Sequence, residues 1–119
     1  MVPSPEEFAE AISASAPSPT ELTMLQWHYK ESRRTLTGEG LSKLMLWAGQ
    51  SANAQYGRFA GRVALYLSWA PNDEDSYWAS MKVSCLVVGA RTQTEYEWTL
   101  RPEVATAMEE LGIAPLEPM

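Results

Sequence analysis

The chain has one cysteine and one histidine among its 119 residues, and each scarcity excludes a kind of chemistry. With Cys85 alone no internal disulfide can form, which fits a reducing compartment. With His28 alone, a multi-histidine metal site and a histidine-dependent catalytic triad have no partner residues. The segment "TGEG" lacks the lysine and the spacing of a phosphate-binding loop. We therefore expect no enzymatic activity, no cofactor and no bound metal.

Long apolar runs are missing as well. No stretch approaches the roughly 20 apolar residues of a membrane span. The first residues, "MVPSPEEFAEAI", carry acidic side chains where a signal peptide needs basic ones. These two features predict a cytoplasmic protein.

Two helix starts share one signature, Ser-Pro-x-Glu, in the segments "SPEE" and "SPTE". Serine at the N-cap with glutamate three residues later is a capping box, and proline is favoured at the first helical position. The pattern predicts one helix after Ser4 and a second over residues 19–31. The segment "SASAPSP" marks a boundary in the chain. Residues 1–17 are expected to form a helical arm with its linker, and residues 18–119 one domain. Whether the arm is docked stays open.

A helix-turn-helix pattern follows. Thr37 is the expected N-cap of a third helix, and Gly49 suits the left-handed residue that ends it. Its expected inward residues are Leu41, Leu44, Met45 and Ala48. The next helix, over "SANAQYGRFAGRVALYLSW", is predicted to bury Ala52, Tyr56, Phe59, Ala60, Val63 and Leu67 at helical spacing. Gly57 and Gly61 leave a smooth strip on it, which suggests close packing of another backbone.

The last third of the sequence is predicted to form a hairpin and a helix. Residues 77–88 and 94–100 alternate in hydrophobicity, which predicts two strands joined by the turn "GARTQ". Pro102 opens a final helix that Gly112 ends. The predicted fold is α+β and winged-helix-like: a helix-turn-helix core, an antiparallel hairpin and a C-terminal helix.

Charge is distributed unevenly along the chain, whose formal net charge is -6. Residues 22–69 hold six basic and two acidic residues, and both flanks are acidic. This basic island could neutralise phosphates, which is the main source of nucleic-acid affinity. The acidic flanks favour a protein partner with a basic surface instead. A third interpretation is that the charges form only a solvated face.

The runs "MLQWHYKESRRTLTGEGLSKLM", "ANAQYGRFAGRVALYL" and "WTLRPEVATAMEELGI" resemble an accessory segment found with HNH-type and related restriction endonucleases. The grouping of Asn53, Tyr56 and Gly57 and the closing "RPEVATAMEELG" are its distinctive parts. The resemblance implies a setting of DNA processing or phage–host conflict. An HNH centre needs histidines and metal ligands, so nuclease activity does not carry over.

The leading hypothesis is a non-enzymatic inhibitor of a nucleic-acid-processing complex, of the anti-CRISPR or anti-restriction type. Its acidic contact residues would be Asp73, Glu74, Asp75, Glu95 and Glu97. The alternative is a winged-helix DNA-binding regulator. In that case Gln55, Arg58 and Arg62, on the outward face of the helix at residues 52–69, would enter a groove. Arg33 and Arg34 would contact phosphates. A self-associating structural protein is a third possibility.

Overall fold

Helices dominate the part of the chain that the structure describes. The computed structural model describes residues 3–47, 51–68, 85–91 and 96–114. In chain order they form α1 (Pro5–Ala14), α2 (Pro19–Lys30), a short 3-10 helix (Ser32–Arg34), β1 (Thr35–Thr37), α3 (Gly38–Leu44), α4 (Ser51–Leu67), β2 (Val87–Arg91), β3 (Tyr96–Leu100) and α5 (Pro102–Glu110). The class is α+β, as predicted. Among these residues no helix is long and apolar enough to cross a membrane.

Both predicted capping boxes are present. At the start of α1, Ser4 Oγ accepts a hydrogen bond from Glu7 N at 3.1 Å, and Ser4 N donates to Glu7 Oε1 at 2.8 Å. The equivalent bonds between Ser18 and Glu21 at the start of α2 measure 3.1 and 3.0 Å. Each box satisfies backbone donors that a helix start leaves free.

The first helix is docked, which the sequence left open. Phe8, Ala11 and Ile12 are fully buried and belong to the same hydrophobic cluster as the rest of the core. α1 packs mainly against α5 and α4. Residues from the two ends of the chain therefore lie side by side.

The third helix begins as predicted and ends earlier than expected. Thr37 Oγ1 accepts from Gly40 N at 2.9 Å, which is the predicted cap. The helix ends at Leu44, and Leu46 takes the left-handed conformation (φ 62°) that was expected of Gly49. Trp47 N then bonds back to an earlier carbonyl of the helix, as in a Schellman ending. Leu41 is buried and Leu44 is half-buried, whereas Ala48 and Gly49 lie outside the described residues.

The predicted inward face of α4 is confirmed. Five of its residues are fully buried, namely Ala52, Tyr56, Phe59, Ala60 and Val63, and Leu67 is half-buried. The expected reason for Gly57 is wrong for the described residues, because a Cβ built there meets none of their atoms within 4 Å.

Within the described residues the sheet has three antiparallel strands, in the order β1-β3-β2. The sequence did not predict β1, which follows the 3-10 helix and pairs Thr35 with Thr99. The hydroxyls of these two threonines lie 2.8 Å apart. This pairing joins residues 64 positions apart and ties the helical half to the hairpin.

Two antiparallel strands pair as predicted, but β2 continues past the predicted strand end at residue 88. Val87 pairs with Leu100 and Gly89 with Trp98, so Gly89 lies within β2 and not in a turn. Cross-strand pairing therefore outweighs the local preference of glycine for turns. The expected turn "GARTQ" is wrong as far as residue 91; residues 92–95 and 77–84 lie outside the described part. Cys85 precedes β2 and was expected within the strand.

Candidate interaction surfaces

Most of the acidic residues proposed as contacts cannot be placed. Asp73, Glu74, Asp75 and Glu95 lie outside the described residues. Glu97 lies in β3, opposite Thr37 of β1 and Ala90 of β2, and is half-buried. Glu97 and Glu31 line a groove of about 320 Å³, and Lys43 lines it too.

Further acidic residues lie on α1 and α5, two helices that pack against each other. We call these two helices the acidic helix pair. They carry Glu6, Glu7, Glu10, Glu103, Glu109 and Glu110 and no lysine or arginine. None of these carboxylates forms an ion pair with another described residue.

Two tyrosines fix the position of carboxylates on this pair. Tyr66 at the end of α4 donates to Glu10 Oε1 at 2.6 Å, and Tyr29 of α2 donates to Glu109 Oε2 at 2.5 Å. The bond to Glu10 raises the pKa of Tyr66, because the neighbouring carboxylate favours the protonated phenol.

The basic face predicted on α4 is partly occupied by a buried acid. Glu21 is 3% exposed, and Arg62 forms a two-pronged ion pair with it at 2.5 and 3.2 Å. Gln55 Nε2 donates to the same carboxylate at 2.9 Å, and Arg62 Nε donates to the Ser15 carbonyl at 3.3 Å. Burial acts to raise the pKa of Glu21, but the bonds from Arg62, the Ser18 backbone and Gln55 outweigh it and lower the pKa.

The remaining predicted DNA contacts are not gathered into one place. Arg58 is exposed, and its Nη2 donates to Gln55 Oε1 at 2.8 Å. Arg62 binds the first turn of α2, whereas Arg33 and Arg34 follow its last turn. A helix of 12 residues is about 18 Å long, so the two arginine pairs lie at opposite ends of α2.

His28 is buried at the junction of α2, α4 and β3. Its Nε2 lies 2.9 Å from the Trp98 carbonyl, which can only accept, so Nε2 carries the proton. Its Nδ1 therefore accepts from the Tyr56 hydroxyl at 2.8 Å. Burial lowers the pKa of His28 to about 4, against the opposing effect of its backbone hydrogen bonds. The histidine is a neutral structural link at pH 7.

Cys85 is buried too, and its thiol is protonated at neutral pH. Burial raises the pKa of this thiol to about 11, although the charge of Arg101 acts in the opposite direction. Within the described ranges, no group of three or more acidic, histidine or cysteine side chains is placed to hold a metal ion.

Comparisons of the chain with protein-family models, with curated proteins and with solved structures found no match.

Proposed function

We propose that this chain is a non-enzymatic interaction protein that binds a basic protein partner through the acidic helix pair. The observation that carries the proposal is the packing of α1 against α5, two helices that together carry six glutamates and no lysine or arginine. Opposite charge across an interface speeds association and selects the partner.

The class of partner follows from the sequence resemblance. A protein that works in DNA processing or phage–host conflict, as the resemblance implies, would meet nuclease and CRISPR-type complexes, whose nucleic-acid channels are basic. An acidic protein that occupies such a channel excludes the nucleic acid and inhibits the complex. The site of action would be the cytoplasm, where these complexes work.

The order of elements supports a winged-helix-like arrangement within this proposal. In this proposal α3 and α4 would be the two helices of a helix-turn-helix unit, and the paired strands β2 and β3 would be its wing. β1 joins the hairpin on its β3 side. On this scaffold α4 would be the recognition helix of a DNA-binding protein.

The DNA-binding alternative has the weaker geometry. Two of its three groove residues, Gln55 and Arg62, are hydrogen-bonded to Glu21, so base contacts would have to replace these bonds. The phosphate contacts Arg33 and Arg34 lie at the other end of α2. Arg58 is exposed on α4, and among the described residues its hydrogen-bond partner is Gln55, on its own helix.

Charge reversal on the acidic helix pair tests the proposal. Glu6 and Glu110 suit this purpose, because both are exposed and neither takes part in the capping box or the tyrosine bonds. The double variant Glu6→Lys with Glu110→Lys is expected to weaken capture of a restriction or CRISPR nuclease complex at least about tenfold, because like charges across an interface repel. Inhibition of DNA cleavage by that complex should fall in parallel.

Glu39→Lys is the control for a single charge reversal outside the pair, since Glu39 is exposed on α3 and its ion pair with Lys43 is long, at 4.0 Å. This variant should bind and inhibit like the parent protein. Equal capture by the parent and the Glu6/Glu110 variant would overturn the assignment of the surface. An equal loss of capture in the Glu39 variant would mean that the effect of the Glu6/Glu110 variant comes from net charge and not from this surface.

A further inference from the structure

A groove of about 340 Å³ lies between the 3-10 helix after α2, the end of β3 and one side of α5. Its polar lining comes from Arg33 and Arg34, from the threonines Thr99 and Thr106, and from Glu109. Leu100, Pro102 and Ala105 supply the apolar part. The groove is separate from the Glu21–Arg62 ion pair, which lies at the other end of α2.

Arg34 is held in place at this groove but is not satisfied there. Its guanidinium carbon lies 4.2 Å from the centre of the Tyr29 ring, and the Tyr29 hydroxyl is fixed by Glu109. Its Nε is buried and has no hydrogen-bond partner among the residues that the structure describes. A buried donor without an acceptor is rare in folded proteins and calls for an explanation.

The backbone at this point is strained as well. Arg33 and Arg34 both take left-handed conformations, with φ of 54° and 51°. Residues other than glycine disfavour this region, and two in succession persist only where the surroundings impose them. The Arg34 N–H bonds to the Glu31 carbonyl at 2.7 Å and the Arg33 carbonyl accepts from Thr35, which fixes the turn. Strain of this kind is concentrated at binding sites.

We propose that this groove binds an oxyanion, the phosphate or carboxylate group of a small ligand. A guanidinium presents a planar fork of donors that matches both groups, and the unpaired Nε–H of Arg34 is one prong of that fork. Arg33 adds a second positive charge on the same wall, and Thr106, exposed on α5, adds a hydroxyl. The stacking on Tyr29 orients the fork before the ligand arrives.

Two lining residues limit what the ligand can contact. The Thr35 hydroxyl donates to the Arg33 carbonyl, so the Thr99 hydroxyl must donate to Thr35 and has no proton left for a ligand. Glu109 brings a negative charge to the groove, although one of its oxygens is occupied by Tyr29. Replacing Glu109 with glutamine keeps an acceptor for Tyr29 and removes the charge. This variant should bind an oxyanion several-fold more tightly.

The test is a titration of the whole protein, followed by the NMR signal of the Arg34 Nε–H. Inorganic phosphate and acetate are added separately at constant ionic strength, which distinguishes a phosphate site from a carboxylate site. A saturable shift of that signal with one of them is expected. Arg34→Gln should weaken binding at least about tenfold, since charge-assisted bonds are the strong ones. Thr106→Val, an exposed change that leaves the turn intact, should weaken it several-fold.

Arg58→Gln is the matched control, because it removes an exposed arginine outside the groove. Its affinity should equal that of the parent protein. No saturable shift with either anion would overturn the proposal, and so would equal losses in the Arg34 and Arg58 variants. If Arg34→Gln fails to fold by circular dichroism, the Thr106 and Glu109 variants decide, because their predicted effects have opposite signs.

Discussion

Acidification from pH 7.5 to pH 5 is expected to remove about 2 kcal/mol of the free energy of unfolding, through His28 alone. In the fold this imidazole is fully buried, and its pKa is lowered to about 4. In the unfolded chain its pKa is about 6.5. Between these two pKa values His28 is therefore protonated in the unfolded state and neutral in the folded state. Stability is complete above pH 6.5 and falls as the pH drops from 6.5 to 4.

Because His28 is the single histidine of the chain, no other imidazole contributes to the loss of stability in this pH range. The pKa of Glu21 is also lowered, but its contribution is present above the ordinary glutamate value of 4.5 and is lost only below it. Urea unfolding followed by circular dichroism at pH 7.5, 6 and 5 measures the effect. NMR of the imidazole should show no protonation of the folded protein at pH 5.5.

His28→Gln provides the comparison. Glutamine offers one donor and one acceptor for the Tyr56 hydroxyl and the Trp98 carbonyl, but it gains no proton in this range. The variant should be less stable at every pH, with an unfolding free energy that changes little between pH 7.5 and 5. If the parent protein and the variant lose the same stability over that interval, the buried neutral histidine is not the cause and the reasoning fails.

Three further predictions concern stability and are measured by urea unfolding at pH 7.5. Arg62→Met should destabilise the fold by about 1–2 kcal/mol, because it leaves Glu21 buried and unpaired. This value is reduced for solvent screening, since water reaches part of Arg62. An unchanged unfolding midpoint would show that water replaces the arginine. Gly57→Ala should stabilise α4 by about 0.5–1 kcal/mol, because open space surrounds the new methyl group; destabilisation would mean that the methyl group clashes. Leu46→Gly should stabilise by about 1 kcal/mol, since Leu46 is left-handed and 92% exposed, and a loss would show that its side chain packs after all.

The Arg62 result also bears on how the DNA-binding alternative is tested. Reversing the charges of Arg58 and Arg62 together would place a carboxylate beside Glu21 and disturb the fold. A loss of DNA binding in that double variant would then have two explanations. Arg58→Glu by itself changes an exposed side chain and keeps the ion pair intact.

Local signals were sufficient for the helix starts and for the buried face of α4. A capping box needs only residues three apart, as in Ser4 and Glu7, and a helical stripe such as Tyr56, Phe59 and Val63 repeats within two turns. Because these features arise within single helices, a single sequence contains them.

Features that depend on distant residues were missed or displaced. β1 is three residues long and is specified by pairing with β3, 64 positions later, so no local pattern indicates it. The end of α3 is set by the left-handed conformation of Leu46 and by bonds from Leu46 N and Trp47 N to earlier carbonyls of the helix. Sequence rules assign this conformation to glycine. The register of β2 follows its partner strand and not the turn preference of Gly89.

The candidate surface illustrates the same limit. The acidic charges of the first and last helices can be counted from the sequence, but only packing shows that the two helices are neighbours. The side chains of Gln55 and Arg62 were recognised as one stripe of α4. Their common partner, Glu21, was assigned only to its capping box, and a buried acid facing that stripe is a tertiary fact.

The central claim is that the acidic helix pair, and not the basic face of α4, makes the functional contact. Binding of the parent protein to a fluorescent random-sequence DNA duplex, over a salt series from low to physiological concentration, tests it most directly. We expect no binding even at the lowest salt, because the acidic residues on both flanks of the basic island repel the duplex. Tight binding that weakens steeply with salt and is lost in Arg58→Glu would contradict it, since that dependence is the signature of phosphate neutralisation.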